Sequence, residues 1–327
     1  MAYPVSSTPY GLNASPPNPP YSGTFIPEIW SGKLIEKFYA STVLAAISNT
    51  AYEGEIANHG DKVIIRTKPT LTIKDYQADQ PLELERPSSN VKTLLIDKGK
   101  YFATIADDVM RTQMDINTMD LWSDDAAQQM KIKIDTDVLL YMLGQPDAKN
   151  RSATAGKVSS SYNLGVTGTP LNLAARNPGV GEVEIIDLIV RLGAVLDEQN
   201  IPEAGRWLVI PTWAAAYIKQ SDLRNAGLSG DPQSMLRNGK LGMVDRFTIY
   251  VSNLLPTSAS IGIAGRLTGG EYPIFAGHSH GLTFASQISK IETIRSETTF
   301  GTILRGLNVY GFSVIDGTAI AQAIVVP

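Results

Sequence analysis

The sequence predicts an α+β protein with long protruding segments, and three observations predict it. Between Asp107 and Leu143 no proline or glycine interrupts the chain, so one long helix is expected there. Two β-rich runs, Lys62–Lys74 and Val91–Ala103, flank a polar stretch holding Pro81 and Pro87, which reads as one long hairpin. From Glu182 to Val251 short helical and strand patterns alternate, the mark of a small mixed domain.

Composition sets the bounds. At 327 residues with 43% apolar content, the chain buries one large or two modest cores. Lysine and arginine number 28 against 32 acids, for a net charge of -4, and the cations are spread rather than massed. Tight nucleic-acid binding is therefore not expected, and contact with DNA should be weak and non-specific. The absence of cysteine removes disulfides, thiolate chemistry and cysteine-ligated zinc. Met1–Pro20 has no basic region followed by an apolar run, and no apolar stretch approaches the ~20 residues that span a bilayer. A cytoplasmic product without membrane association is expected.

Each element has its reason. The first segment carries Pro4, Pro9, Pro16, Pro17, Pro19, Pro20 and Pro27 with almost no charge, so it reads as an extended arm. Its Tyr3, Tyr10, Tyr21, Phe25, Ile26, Ile29 and Trp30 are apolar groups that a free tail has no reason to expose. From Lys33 to Asn49, Leu34, Ile35, Phe38, Val43, Leu44 and Ile47 fit a helical period. In the hairpin, the alternation Thr70–Lys74 supports a strand, whereas Pro69 marks an edge or bulge. A two-stranded ribbon of this length is marginal in water, so its faces are expected to be covered by another subunit.

On the long helix Met119, Trp122, Ala126, Met130, Ile134, Val138 and Tyr141 share one arc, with Asp137 inside it, and Gly144 and Pro146 supply the stop. Asp147–Gly181 is rich in Gly, Ser, Thr and Asn and reads as a long surface loop. Glu182–Gln199 is an amphipathic helix with Ile186, Ile189, Val190, Gly193 and Leu196 on its apolar side. Arg206–Ile210 is a strand ending at Pro211, after which Thr212 caps a helix from Trp213 to Gln220. Phe247–Val251 is a strand. In Leu282–Arg295 an isoleucine recurs every three residues, but β-branched content favours a strand. Phe312–Ile315, Asp316-Gly317 and Thr318–Val326 read as a hairpin.

No catalytic constellation emerges. Gly277-His278-Ser279-His280-Gly281 matches the nucleophile elbow of α/β-hydrolases, but strand-like sequence follows it, and His59, His278 and His280 are the only histidines, so no later base exists. Hydrolysis at Ser279 is thus a remote alternative. His278 and His280 lie at alternate positions, as two metal ligands on a strand would, but no carboxylate cluster completes the set. Asp124-Asp125 and Glu53 with Glu55 are paired acids without an apolar pocket. No phosphate-binding glycine motif is present. Cofactor, metal and catalytic residues are all expected to be absent.

The order of these parts resembles the major capsid protein of tailed bacteriophages, of the Hong Kong 97 fold. Four segments look like that family: Phe25-Ile-Pro-Glu-Ile-Trp30; Arg206-Trp-Leu-Val-Ile-Pro211 running into a helix; Leu236–Gly242 leading through Phe247 to Pro256; and Lys290–Arg295 followed by Phe300-Gly301 and Val309–Val314. Asp245-Arg246 departs from the pattern, since a glycine is expected in that turn.

The resemblance implies an N-terminal arm (1–32), a short helix leading into the peripheral domain (33–60) and an extended E-loop hairpin (61–104). A peripheral domain with spine helix and G-loop (105–181) and an α/β axial domain (182–284) follow, then a peripheral-domain strand (285–308) and a C-terminal hairpin (309–327). It further implies a non-enzymatic virion protein, assembled in the host cytoplasm, that self-assembles as hexamers and pentamers into an icosahedral head around double-stranded DNA. Scaffolding, portal and decoration proteins are the other implied partners. An encapsulin-like cellular compartment is the alternative within the same architecture. Assembly contacts are expected at Phe25, Ile26 and Trp30 in the arm and at Leu71, Ile73, Tyr76, Leu94 and Ile96 in the hairpin.

Overall fold

A strand buried on both faces is apolar except where a polar group is fully hydrogen-bonded, and Arg206–Ile210 (RWLVI) is buried at all five positions. The computed structural model describes residues 39–51, 62–66, 69, 71–75, 81, 84–87, 91–113, 118–221, 242–257 and 267–327, all within one unit, Tyr39–Pro327. In chain order its elements are α1 (Leu44–Ile47), β1 (Lys62–Arg66), β2 (Val91–Leu95), β3 (Lys98–Asp107), α2 (Asp108–Gln113), α3 (Thr118–Met142), β4 (Leu171–Ala174), β5 (Glu182–Glu184) and α4 (Ile185–Glu198). Then come β6 (Arg206–Ile210), α5 (Thr212–Gln220), β7 (Met243–Val244), β8 (Phe247–Val251), β9 (Tyr272–His278), β10 (Leu282–Arg295), β11 (Gly301–Val314) and β12 (Ile320–Val326).

These strands form three sheets. Seven are ordered β5-β4-β12-β9-β6-β8-β7, three are ordered β10-β11-β3, and β1 pairs β2 alone. Side-chain alternation splits the large sheet between two cores. Leu208, Ile210, Ile274, Ala276, Ala321, Ala323 and Val325 pack with α4 and α5, while Trp207, Val209, Phe275, Ile320 and Ile324 pack with Ile134, Val138, Leu139 and Met142 of α3. Helices on both faces explain why these strands are apolar without alternation. Gln322 is the polar exception on the α3 side, and its Oε1 accepts the N–H of Gly144 at 2.8 Å, so a donor just beyond the helix end is satisfied.

Several expectations are corrected. The helix expected over 33–49 is, among the described residues, only α1. Val43 donates to Asp135 and Asn49 bridges Thr283, so the segment is pinned at both ends by tertiary contacts that override its helical period. Among the described residues the hairpin ladder runs Lys62–Arg66 against Val91–Leu95. Leu71–Asp75 forms no strand, consistent with Pro69 interrupting the donors. Lys98–Asp107 instead leaves the ribbon and pairs with β11.

The long helix is present as α2 and α3, with 114–117 outside the described residues. Its stop is as expected, Gly144 having φ 81. Asp147–Gly181 is not merely surface: Leu164, Leu171 and Leu173 are buried, and β4 joins the large sheet. The apolar side of α4 is centred on Ile185, Leu188, Leu192 and Val195, which turns Val190 out to solvent. Thr212 lies in the first turn of α5 rather than capping it, and its hydroxyl donates to Asn253 Oδ1 at 2.8 Å.

The expected C-terminal hairpin does not form. Asp316 Oδ1 instead accepts Thr318 N–H and Oγ1–H at 2.9 and 2.6 Å, a local side-chain turn that competes with a tight β-turn. β11 and β12 thus enter different sheets. The segment 285–308 is correspondingly not one strand: β10 and β11 are partners in a long antiparallel pair.

Candidate assembly surfaces

The β1–β2 ribbon has two faces that register assigns. Val63 pairs Leu94 and Ile65 pairs Lys92, whereas Lys62 pairs Leu95, Ile64 pairs Thr93 and Arg66 pairs Val91. Opposed residues share a face and successive ones alternate. Leu94 and Ile65 are buried in a small core with Ala285, against which Val63, Ile96 and Ile315 pack. The other face carries Ile64, Val91 and Leu95, which are 56, 58 and 48% exposed. No part of the described chain covers it.

Glycine fixes how close the ribbon comes to the body. A Cβ on Gly311 of β11 would collide with the carbonyl of Leu95, and one on Gly306 with the ring of Phe102. These glycines sit in strands because backbone or ring approaches them closely, not because of a left-handed φ.

A second exposed apolar face lies on the three-stranded sheet. Leu307 is opposite both Tyr101 and Lys290, and Ile303 is opposite both Ile105 and Ile294. Tyr101, Ile105, Ile294 and Leu307 are exposed. Between these rows Glu292 accepts from Arg305 Nε at 2.7 Å and pairs with Lys290 at 2.7 Å. At the sheet's end Arg295 holds Asp108 through two bonds of 2.9 and 2.5 Å.

Beyond the ribbon, two polar clusters fix local geometry. Arg206 is fully buried and donates to Asp197 Oδ1 at 2.6 Å and to the carbonyls of Ile201, Pro202 and Gly193 at 2.6, 2.9 and 3.5 Å. Arg246 adds bonds to Asp197 Oδ2 at 2.9 Å and Glu203 Oε1 at 2.7 Å. Burial pushes the Asp197 carboxyl up, but the bonds from Arg206 and Arg246 outweigh it and hold the group below the usual carboxylate range. Asp245 and Arg246 form the β7–β8 turn with φ 45 and 68, so the turn in which a glycine was expected takes the left-handed geometry without one. The second cluster is Asp135, buried on α3, whose Oδ2 accepts Val43 N–H at 2.9 Å. Burial raises its carboxyl to about 6.

The sequence-predicted residues separate accordingly. Leu71 and Ile73 are 60 and 91% exposed. Leu94 is corrected: it is a core residue of its own chain, because the register turns it inward, and Ile96 packs beside it. Phe25, Ile26, Trp30 and Tyr76 lie outside the described residues. Ile64, Val91 and Leu95 escaped sequence reasoning, and the parity of KVIIR against VKTLL is the signal that marks them. Ser279 lies in a turn between β9 and β10, where Gly281 N–H bonds to His278 O at 3.0 Å. This is strand–turn–strand, not the strand–turn–helix of a nucleophile elbow. Among the described residues no three metal-binding side chains cluster.

Comparison with known families decides the identity. The family model described as phage capsid protein matches residues 92–323. The chain belongs to the phage capsid protein family. A solved chain of Mycobacterium phage Che8 is similar over 92% of this chain and 97% of that one, with a TM-score of 0.73 and 26% identity. The capsid structure of the cyanophage P-SCSP1u is similar over 91% and 92% of the two chains, with a TM-score of 0.67 and 15% identity. The capsid of Ralstonia phage GP4 covers 94% and 97%, with a TM-score of 0.60 and 10% identity. None of the curated proteins compared matches. For a phage capsid protein, the relevant geometry is that of its surfaces, and among the described residues the ribbon face and the sheet face expose apolar side chains.

Proposed function

We propose that the chain is a phage major capsid protein that self-assembles into the icosahedral head, and that its function is structural rather than catalytic. The family match over residues 92–323 carries this reading. The geometry supports it: a ribbon apolar on both faces, with only one face covered among the described residues, gains stability when a sister copy covers the other. Obligate interfaces of ~2,000 to 5,000 Å² are unusually apolar, which suits Ile64, Val91 and Leu95, with Leu71 and Ile73 further along the loop.

On this reading the principal partner is the chain itself, as hexamers and pentamers, in a virion assembled in the host cytoplasm. Scaffolding, portal and decoration proteins are the further partners. Packaged DNA meets a protein of net charge -4, so it is held weakly and moves freely, since a strongly basic wall would bind it by counterion release. On this reading the arm and loop serve assembly, the large sheet belongs to an axial unit, and α3 with the three-stranded sheet belongs to a peripheral unit.

Negative-stain microscopy of the purified, expressed chain tests the proposal. Closed shells, or capsomer rings that close on addition of a scaffold, are expected. A compact, lasting monomer at concentrations of tens of micromolar would overturn it. Removing 62–95, which leaves β3 in its sheet, should leave a folded protein that forms no shells.

A further inference from the structure

We propose that Tyr39–Asn49 is a strap across the subunit, and that the bond from Val43 to Asp135 is a proton-operated clasp, shut in mild acid and loosened at neutral and higher pH. Within this short segment the chain bonds three parts of the fold. Tyr39 donates its hydroxyl to Asp125 Oδ1 on α3 at 2.7 Å. Ser41 donates to the Val251 carbonyl of β8, in the large sheet, at 3.2 Å, and the Val43 N–H returns to α3 at Asp135 Oδ2. Asn49 then lies against β10, the edge of the three-stranded sheet, where its N–H donates to Leu282 O at 2.8 Å and its carbonyl accepts the Phe284 N–H at 3.0 Å. The strap contains no charged residue, so neutral donors and the burial of Val43 and Ile47 hold it.

The clasp differs from the other ties because its acceptor is a fully buried acid whose Oδ1 has no partner among the described residues. No counter-charge reaches it from the elements packed around it. The large sheet turns Trp207, Val209, Phe275, Ile320 and Ile324 to this side, and its charged residue, Arg206, alternates to the opposite face with Leu208 and Ile210. Tyr310 of β11 donates to Asp137, and Lys100 of β3 pairs with that same residue. On α3 itself Lys131 and Lys133 are exposed.

Protonated, the carboxyl is a neutral group in an apolar core and still accepts the Val43 N–H. Ionised, it is an unpaired buried charge, which opening the strap to water relieves. Burial raises its titration to about 6, although the Val43 and Leu44 N–H groups favour the charged form. Opening returns it to the ordinary value near 3.9, so the closed strap is favoured below that value and loses the advantage as pH rises through 6. A strap tied to both sheets and to α3 resists their relative movement, and its release makes the subunit more compliant. This holds for the chain whether or not it assembles.

Hydrogen exchange of the full, unassembled chain from about pH 4 to 8, with rates corrected for the intrinsic effect of pH, tests the clasp. The amides of Val43–Asn49 should exchange ahead of those of β6 throughout. Their protection should fall by about 50-fold across the range and level off above about pH 7, as a shift from about 3.9 to about 6 requires. Asp135→Asn, which cannot ionise, should abolish this slope and keep the protection of the acid form. Ser41→Ala loosens the strap without touching the carboxyl, so it should speed exchange by one constant factor at every pH. Strap amides no faster than those of β6, a flat wild-type profile, or a slope that survives in Asp135→Asn would each overturn the proposal. If Asp135→Asn does not fold, the wild-type and Ser41→Ala profiles decide it: parallel slopes support the clasp, and flat or divergent ones overturn it.

Discussion

Asp135 on α3 accepts the main-chain N–H of Val43 at 2.9 Å, and its other oxygen has no partner among the described residues. The carboxylate ties the segment entering the fold to its longest helix, at the cost of a fully buried acid. Burial outweighs the backbone bonds from Val43 and Leu44 and raises the carboxyl to about 6. The sign follows directly. An acid raised in the folded state contributes stability that is fully present below its unfolded value near 3.9 and is lost as pH rises through 6. Asp135→Asn keeps an acceptor for Val43 and cannot ionise, so it should stabilise the unassembled chain by roughly 1–3 kcal/mol at pH 7.5 and have little effect at pH 4. Urea midpoints across this range measure it, and an equal shift at both pH values would contradict the assignment.

The Arg206 and Arg246 guanidiniums share Asp197 but differ in burial, at 0 and 36% side-chain exposure. Arg206→Ala strips a buried site of four acceptors' common donor and should cost about 3–5 kcal/mol. Arg246→Ala removes exposed pairs and should cost less than about 1 kcal/mol. Comparable losses in chemical denaturation would mean that burial does not rank the two.

The β7–β8 turn sets a further expectation. Asp245 holds φ 45, and burial raises its carboxyl despite the adjacent Arg246. Asparagine tolerates this backbone better than most residues and carries no charge to desolvate. Asp245→Asn should therefore stabilise by about 0.5 kcal/mol, a gain confined to pH values above the carboxyl's titration. A loss of stability there would show that the negative charge is needed beside Arg246.

These clusters show what the sequence makes legible. RWLVI announced a strand, and Gly144 the end of the long helix, because those signals are local. Parity and partnership are not local. Leu94 and Leu95 are adjacent and equally apolar, and only the register with Lys62 and Val63 turns one in and the other out. The Asp316-Gly317 pair looked like a hairpin turn because composition does not reveal that Asp316 will bond to Thr318 and send β12 to another sheet. On α4 the period was right, but packing against two sheet strands rotated the buried arc, leaving Val190 outside. Asp135 was hidden because a single acid in an amphipathic helix looks solvated until Val43 is seen to donate to it.

The two faces of the ribbon give the sharpest contrast. Leu94→Ala empties a site in the chain's own core and should cost about 2–5 kcal/mol of fold stability, seen as a lower urea midpoint of the unassembled subunit. Ile64→Ser and Leu95→Ser together remove apolar surface that the subunit already exposes, so the midpoint should move by less than about 0.5 kcal/mol, while shell yield collapses. Gly311→Ala falls between them: its Cβ meets the Leu95 carbonyl, which backbone atoms relieve only by shifting the ribbon off the sheet, at about 1–3 kcal/mol. Hydrogen exchange should then speed up in β2 ahead of β6, whose partners are untouched. If Ile64→Ser with Leu95→Ser destabilises the subunit as much as Leu94→Ala does, the outward face is already covered by its own chain, and neighbours are not what it awaits.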